Sequence, residues 1–153
     1  MINFEIMPME KRHLQAVAAV EQCCFSVPWS KNSLAEELIK ENSKFLVAVS
    51  ENQQVLGYIG LNFVLDEGYI TNIAVMPEFR GLGVAKKLLE KIIDFGVSEN
   101  LTFISLEVRK SNIAAISLYQ KFDFLRVGER KNFYSAPIEN ALIMTKFWEV
   151  SSK

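Results

Sequence analysis

The stretch Arg80-Gly81-Leu82-Gly83-Val84-Ala85-Lys86-Lys87 joins two runs of opposite character. Before it lies Tyr69-Ile-Thr-Asn-Ile-Ala-Val75, rich in β-branched residues and of strand length. After it, Ala85, Leu88, Leu89, Ile92, Ile93 and Gly96 recur at the spacing of one helical stripe. Two glycines at the join allow positive φ and close backbone approach to a ligand. The helix start beyond them offers unpaired N–H groups with partial positive charge. A strand, a glycine turn and a helix in this order predict a phosphate-binding junction.

Spacing excludes two common phosphate loops. A P-loop needs Gly-x-x-x-x-Gly-Lys followed by Ser or Thr, which does not occur here. A dinucleotide fingerprint needs a third glycine where Lys86 stands, and an early strand of a parallel sheet before it. The pattern that remains is Arg80-x-x-Gly83-x-Ala85, after a strand ending at Ile73-Ala74-Val75 and a break at Pro77.

The rest of the chain supplies a context for that junction. Its 153 residues are half hydrophobic, with 7 Gly and 4 Pro and no repeat, so residues 1–150 are expected to form one domain. A net charge of −1 argues against a domain that wraps nucleic acid. No apolar run is long enough to cross a bilayer, and Met1 to Arg12 lacks a cationic lead into an apolar stretch, so a cytoplasmic protein with no membrane partner is expected. Cys23 and Cys24 are neighbours, which leaves no disulfide framework. One histidine, His13, and no Cys/His spacing leave no metal signature; His13 itself reads as a solvated residue near a helix start.

Periodicity predicts strands over residues 3–7, 45–49, 55–65, 69–75, 103–108, 124–128 and 141–148, with polar or glycine turns at 51–54 and 66–68. Helices are expected over 10–25, from a Ser33-Leu-Ala-Glu36 capping box to about Lys40, after Gly83, and after a cap at Ser111 or Asn112. The order β-α-α-β-β-β-α-β-α-β-β predicts an α/β mixed sheet flanked by about four helices, with one crossover between residues 69 and 108.

In this context, Arg80, Gly83 and Ala85 resemble the Gln/Arg-x-x-Gly-x-Gly/Ala motif of the GNAT superfamily of N-acetyltransferases. The resemblance implies a single GNAT-type domain, a mostly antiparallel central sheet, and acetyl coenzyme A as co-substrate. It further implies that the loop of Arg80, Gly81, Leu82, Gly83, Val84, Ala85 and Lys86 binds the pyrophosphate. The strand edge at Ile73, Ala74 and Val75 would then pair with the pantetheine arm.

A second stretch, Leu106-Glu-Val-Arg-Lys-Ser-Asn112 through Leu118-Tyr119 to Phe124, resembles the corresponding segment of the ribosomal-protein-alanine N-acetyltransferases. By that resemblance Glu107 accepts the amine proton, Asn112 contacts the cofactor and Tyr119 donates a proton to the departing thiolate. Read as residues alone, Glu107 shares a strand face with Phe103 and Ser105, Asn112 is a helix cap, and Tyr119 lies on an apolar face with Ala115 and Phe122. A core tyrosine there would still need a partner for its hydroxyl. Glu67 is the competing carboxylate for general base.

Val27-Pro-Trp29-Ser and Arg130 to Met144 also resemble segments of that family, which implies Trp29 and Tyr134 on the acceptor side; read as a residue alone, Trp29 serves equally well as a core anchor. Val27, Phe133, Asn140 and Asp123 depart from its pattern. With neither cysteine near the cofactor strand, direct transfer in a ternary complex is expected. The expected activity is acetylation of a protein N-terminus, with a ribosomal protein beginning with alanine as the implied partner. The alternative is acetylation of a small amine, a polyamine or an antibiotic; that acceptor favours an acidic pocket, against which the cluster Arg126, Arg130 and Lys131 argues. A non-catalytic coenzyme-binding module is the third reading, and the presence of both Glu107 and Tyr119 counts against it.

Overall fold

The structure is a computed structural model that describes residues 2–148. Residues 1, 149 and 150 of the expected domain span lie outside the described residues. In chain order the elements are β1 (Phe4–Pro8), α1 (Leu14–Cys24), α2 (Lys31–Leu38), β2 (Ser43–Ser50), β3 (Val55–Val64) and β4 (Glu67–Val75). There follow α3 (Val84–Ser98), β5 (Phe103–Arg109), α4 (Ile113–Lys121), β6 (Leu125–Ser135) and β7 (Ile138–Phe147). The strands form one seven-stranded sheet in the order β1-β2-β3-β4-β5-β7-β6. Every pairing is antiparallel except that of β4 with β5.

Two apolar layers hold this sheet. Leu88, Leu89 and Ile92 of α3, all fully buried, join Ile59, Ile104 and Leu106 in one layer, to which α4 adds Tyr119. Val17 and Val20 of α1 and Leu34 of α2 meet Phe45, Val47 and Tyr58 in the other. Each such aliphatic side chain contributes about 1.5–3 kcal/mol by leaving water. The stripe that begins at Ala85 is therefore the anchor that fixes the start of α3 against the sheet.

The feature that makes a site is a fault in the sheet. β4 pairs with β3 up to Val75, yet pairs with β5 only from Glu67 to Tyr69. Beyond Tyr69 the backbone edge of β4 facing β5 is open. The register of β4 on β3 slips between Gly60 and Leu61, which oppose Asn72 and Ile70, so Thr71 is an extra residue, a β-bulge. A bulge bends its strand and raises its twist, which splays β4 from β5. It also breaks the alternation of faces: Ile70 joins the α3 layer while Asn72 bonds to Glu21 of α1. Gly60 is required opposite the bulge, because a Cβ there would lie 2.4 Å from the Phe45 ring.

Four sequence expectations change. His13 is 5% exposed, and its Nδ1 accepts the Glu10 N–H at 2.9 Å at the end of a 3-10 turn, Lys11–His13, that leads into α1. The cap of α2 is Ser30, whose hydroxyl oxygen accepts the Ser33 N–H at 3.1 Å; Ser33 lies one turn inside. β4 begins at Glu67, inside the expected 66–68 turn, since Leu65 alone takes the left-handed φ (56°) that reverses the chain. The last two strands run to Ser135 and start at Ile138, so the expected 129–140 connection is mostly an extended hairpin. Its polar, outward residues carry no apolar alternation by which to read a strand.

Candidate active site

The splay between β4 and β5 opens into a cavity of about 500 Å³. α1, its following loop, α4 and the β6–β7 hairpin complete the wall. Ile73, Glu107, Asn112, Tyr119, Trp29 and Tyr134, all expected site residues, line it together. Residues far apart in the chain thus meet where the sheet parts.

Each side chain is placed by its element. Glu107 sits near the end of β5 on the face opposite Leu106 and Val108, both buried in the α3 layer. Its side chain is 33% exposed, and Oε2 accepts the Arg130 Nε–H at 3.0 Å. Glu67 is not on the cavity wall and instead accepts the Tyr69 hydroxyl at 2.5 Å. Among the lining carboxylates, Glu21 is fully buried and bonded on both oxygens, which leaves Glu107 as the one open to a reactant.

Tyr119 is 4% exposed, with its ring 5.8 Å from that of Phe124. Thr71 Oγ1 is the one buried side-chain polar atom without a partner among the described residues. Tyr119 has no hydrogen bond to another of the described residues and is not such an orphan, so its hydroxyl faces the cavity. Burial, and secondarily Tyr134, pushes its pKa well above the usual tyrosine range. The group is protonated throughout the neutral range and held ready to donate. Tyr134 is pushed up to about 12 by burial and then by the Glu107 charge, with Arg109 opposing. The Arg109 guanidinium lies 4.4 Å from the centre of the Tyr134 ring and donates to the Pro137 and Ala136 carbonyls, fastening the hairpin over β5. Charge and tyrosine hydroxyls therefore share one small volume.

The glycine junction has the form expected of an anion site. Gly81 and Gly83 take φ of 79° and 84°, and a Cβ on either would meet no atom within 4 Å. Gly83 caps α3 without any side-chain bond to the first-turn amides. Val84 and Ala85 turn into the α3 layer, and Ala74 and Val75 are buried, so these four residues give their side chains to the core. Arg80 folds back: its Nε donates to the Val75 carbonyl at 3.1 Å, and Cys24 Sγ donates to the same oxygen at 3.4 Å. Cys24 also lines the cavity, which corrects the expectation that neither cysteine lies near the cofactor strand: the end of α1 packs on the end of β4, a contact that chain spacing does not show. Asn112 caps α4, its Oδ1 accepting the Ala115 N–H at 3.2 Å, while facing the cavity.

Glu21, Thr71, Asn72 and Arg109 also line the cavity and were not read as site residues from the sequence. Two carried a visible signal. Glu21 falls four residues after Val17 and seven after Leu14, on the buried stripe of α1, and Asn72 puts an amide between the apolar Ile70 and Ile73.

A parallel strand pair opened by a bulge, with a glycine-started helix beside the opening, defines an acetyl-group transferase fold. Residues 14–124 match the acetyltransferase (GNAT) family, and the chain belongs to that family. It is 33% identical over 141 residues to the ribosomal protein bS18-alanine N-acetyltransferase of Escherichia coli K12, covering 91% of this chain and 94% of that one. The enzyme of the same name from Haemophilus ducreyi is 36% identical over 132 residues, 84% and 89% of the two chains. The crystal structure of the E. coli ribosomal-protein-S18-alanine N-acetyltransferase superposes with a TM-score of 0.88 at 30% identity, over 99% of this chain and 96% of that one. The expected activity class, acetyl transfer, and the expected mixed sheet stand as read.

Proposed function

We propose that the protein transfers an acetyl group from acetyl coenzyme A to the N-terminal α-amine of a cytoplasmic protein, a ribosomal protein beginning with alanine. One observation carries the reading: Glu107, open to a reactant, and the Tyr119 hydroxyl, without a partner among the described residues, face one cavity at the open edge of β4. The glycine junction supports the choice of donor. Its positive φ values, the clear space above them and the uncapped α3 amides fit a pyrophosphate. The open backbone of β4 suits an amide-containing arm laid along it as another strand.

The chemistry follows from what the groups can hold. Glu107 takes the proton from the acceptor ammonium, directly or through one water, because only the neutral amine has a lone pair for attack. An α-amine of pKa about 7.7–8.0 asks little of that base. Attack on the thioester carbonyl forms the new C–N bond and expels the thiolate, and Tyr119 supplies the proton that leaves it as a thiol. Trp29 and Tyr134 wall the approach. A polyamine acceptor would want several free carboxylates there, whereas Glu21 is bonded on both oxygens and Glu107 is the one open carboxylate of the wall.

The test is a pH–rate profile of wild type and Glu107→Gln on an alanine-starting peptide, with an N-terminally blocked, lysine-containing peptide as control. The variant should be slowed about 10²–10⁴-fold near pH 7, with the defect shrinking as pH passes the amine pKa of about 7.7–8.0. Parallel profiles would remove Glu107 as base, and equal acetylation of the blocked peptide would remove the N-terminal assignment.

A further inference from the structure

Glu21 takes no part in the chemistry above, yet its carboxylate borders the same cavity with no exposure at all. Three donors converge on it. The Trp29 N–H donates to Oε1 at 2.7 Å, while the Tyr58 hydroxyl and Asn72 Nδ2, the latter at 2.9 Å, donate to Oε2. Asn72 Nδ2 also donates to the Tyr58 hydroxyl oxygen at 3.0 Å, closing a ring of three side chains. An apolar residue on this helix face would pack without the desolvation penalty of a carboxylate, so packing does not explain Glu21. What the donors share is their origin in three elements: the loop after α1, the strand β3, and the bulge of β4.

We infer that Glu21 is a positioning residue, which pins the Phe25–Trp29 segment to the bulged strand so that an acceptor N-terminus is held beside Glu107 and Tyr119. The inference rests on the N-terminal reading of the acceptor. Trp29 is walled in through its own backbone amide, and its ring meets that of Phe45 at 6.3 Å, tilted by 39°, while Phe45 stacks on Tyr58 in turn. Asn72 itself lines the cavity beside Thr71. Loosening Glu21 therefore frees the acceptor wall while leaving the α3 junction untouched.

The ring allows a test by reversal of polarity. In Glu21→Gln the new amide faces Asn72 Nδ2, donor against donor, and the ring breaks. Adding Asn72→Asp turns the ring around: the amide at 21 donates to Tyr58 and to the new carboxylate, and Tyr58 donates to that carboxylate. Oε1 at position 21 still accepts from Trp29. Peptide KM should rise tenfold or more in Glu21→Gln, at about the scale of one lost bond to a charged group, with the acetyl coenzyme A Kd within about twofold of wild type. The double variant should bring peptide KM back to within about threefold. An unchanged KM, equal losses for both substrates, or no recovery in the double variant would overturn the inference.

Hydrogen exchange supplies a readout independent of turnover. Faster exchange confined to residues 25–30 and 70–73 in Glu21→Gln upholds the positioning role; unchanged or chain-wide exchange overturns it. If Glu21→Gln does not fold, Tyr58→Phe, which deletes one donor, carries the same KM and exchange measurements. Wild type that fails on the alanine-starting peptide rejects the N-terminal reading, and the exchange result still decides Glu21.

Discussion

Replacing Gly83 with valine separates the strain of a loop from its use. Gly83 sits at φ 84°, ψ 11°, a conformation in which an L side chain costs about 1–2 kcal/mol, and more when β-branched. The protein has no atom within 4 Å of the new Cβ, so the folding penalty is conformational and not a clash. At about 2–4 °C per kcal/mol for a chain of this size, Gly83→Val should melt roughly 4–8 °C lower and stay folded at 25 °C. In the proposed function, the same clear space is where a pyrophosphate would approach the uncapped α3 amides. Acetyl coenzyme A affinity should therefore fall about a hundredfold, equivalent to about 2.7 kcal/mol. Calorimetric titration of the folded variant measures the second effect and thermal melting the first. Gly60→Ala provides the contrast: its Cβ would meet the Phe45 ring at 2.4 Å, so it should lose stability while its folded fraction keeps the affinity. Equal acetyl coenzyme A affinity in Gly83→Val and wild type would refute the assignment of the junction.

Tyr119→Phe should lower turnover by about 10²–10⁴-fold with little change in melting temperature, because the hydroxyl has no partner among the described residues to orphan; unchanged turnover with chemistry rate-limiting would return Tyr119 to the core. His13 is held below its usual pKa by burial, then by Arg12, with Glu10 opposing. The unfolded chain then binds the proton more readily, so the His13 contribution is complete above pH about 6.5 and is lost as pH falls from there through the folded pKa. Melting temperatures of wild type and His13→Gln should accordingly draw together between pH 7 and 5; a constant gap would show that His13 does not titrate with unfolding.

The sequence by itself determined the local half of this protein. The period of the α3 stripe, the two glycines before it and the strand ending at Val75 are short-range facts, set by backbone sterics and by the burial of one helix face. They suffice for the junction and for the order of the elements. The resemblance of Leu106 to Phe124 likewise placed Glu107, Asn112 and Tyr119 in one functional segment. Even Asp123, where a glycine is usual, reads correctly once seen: it takes φ 67° after α4, and a short polar side chain tolerates that conformation.

Tertiary structure alone decided the rest, because it depends on partners distant in the chain. The bulge at Thr71 arises from the fit of β4 onto Gly60 and Phe45, and no pattern within β4 announces it. His13 looked solvated because its polar neighbours are, whereas its ring is buried where the turn meets α1. The outer part of the β6–β7 hairpin, residues 129–140, hid for the opposite reason, since most of its side chains are exposed and leave no alternation to read. Glu21 shows the division most plainly. The α1 stripe carries a carboxylate in an apolar position that the sequence reading passed over, and only the meeting of α1, β3, β4 and the Trp29 loop showed what it holds, since a buried charge is stable only where several chain segments bring it donors.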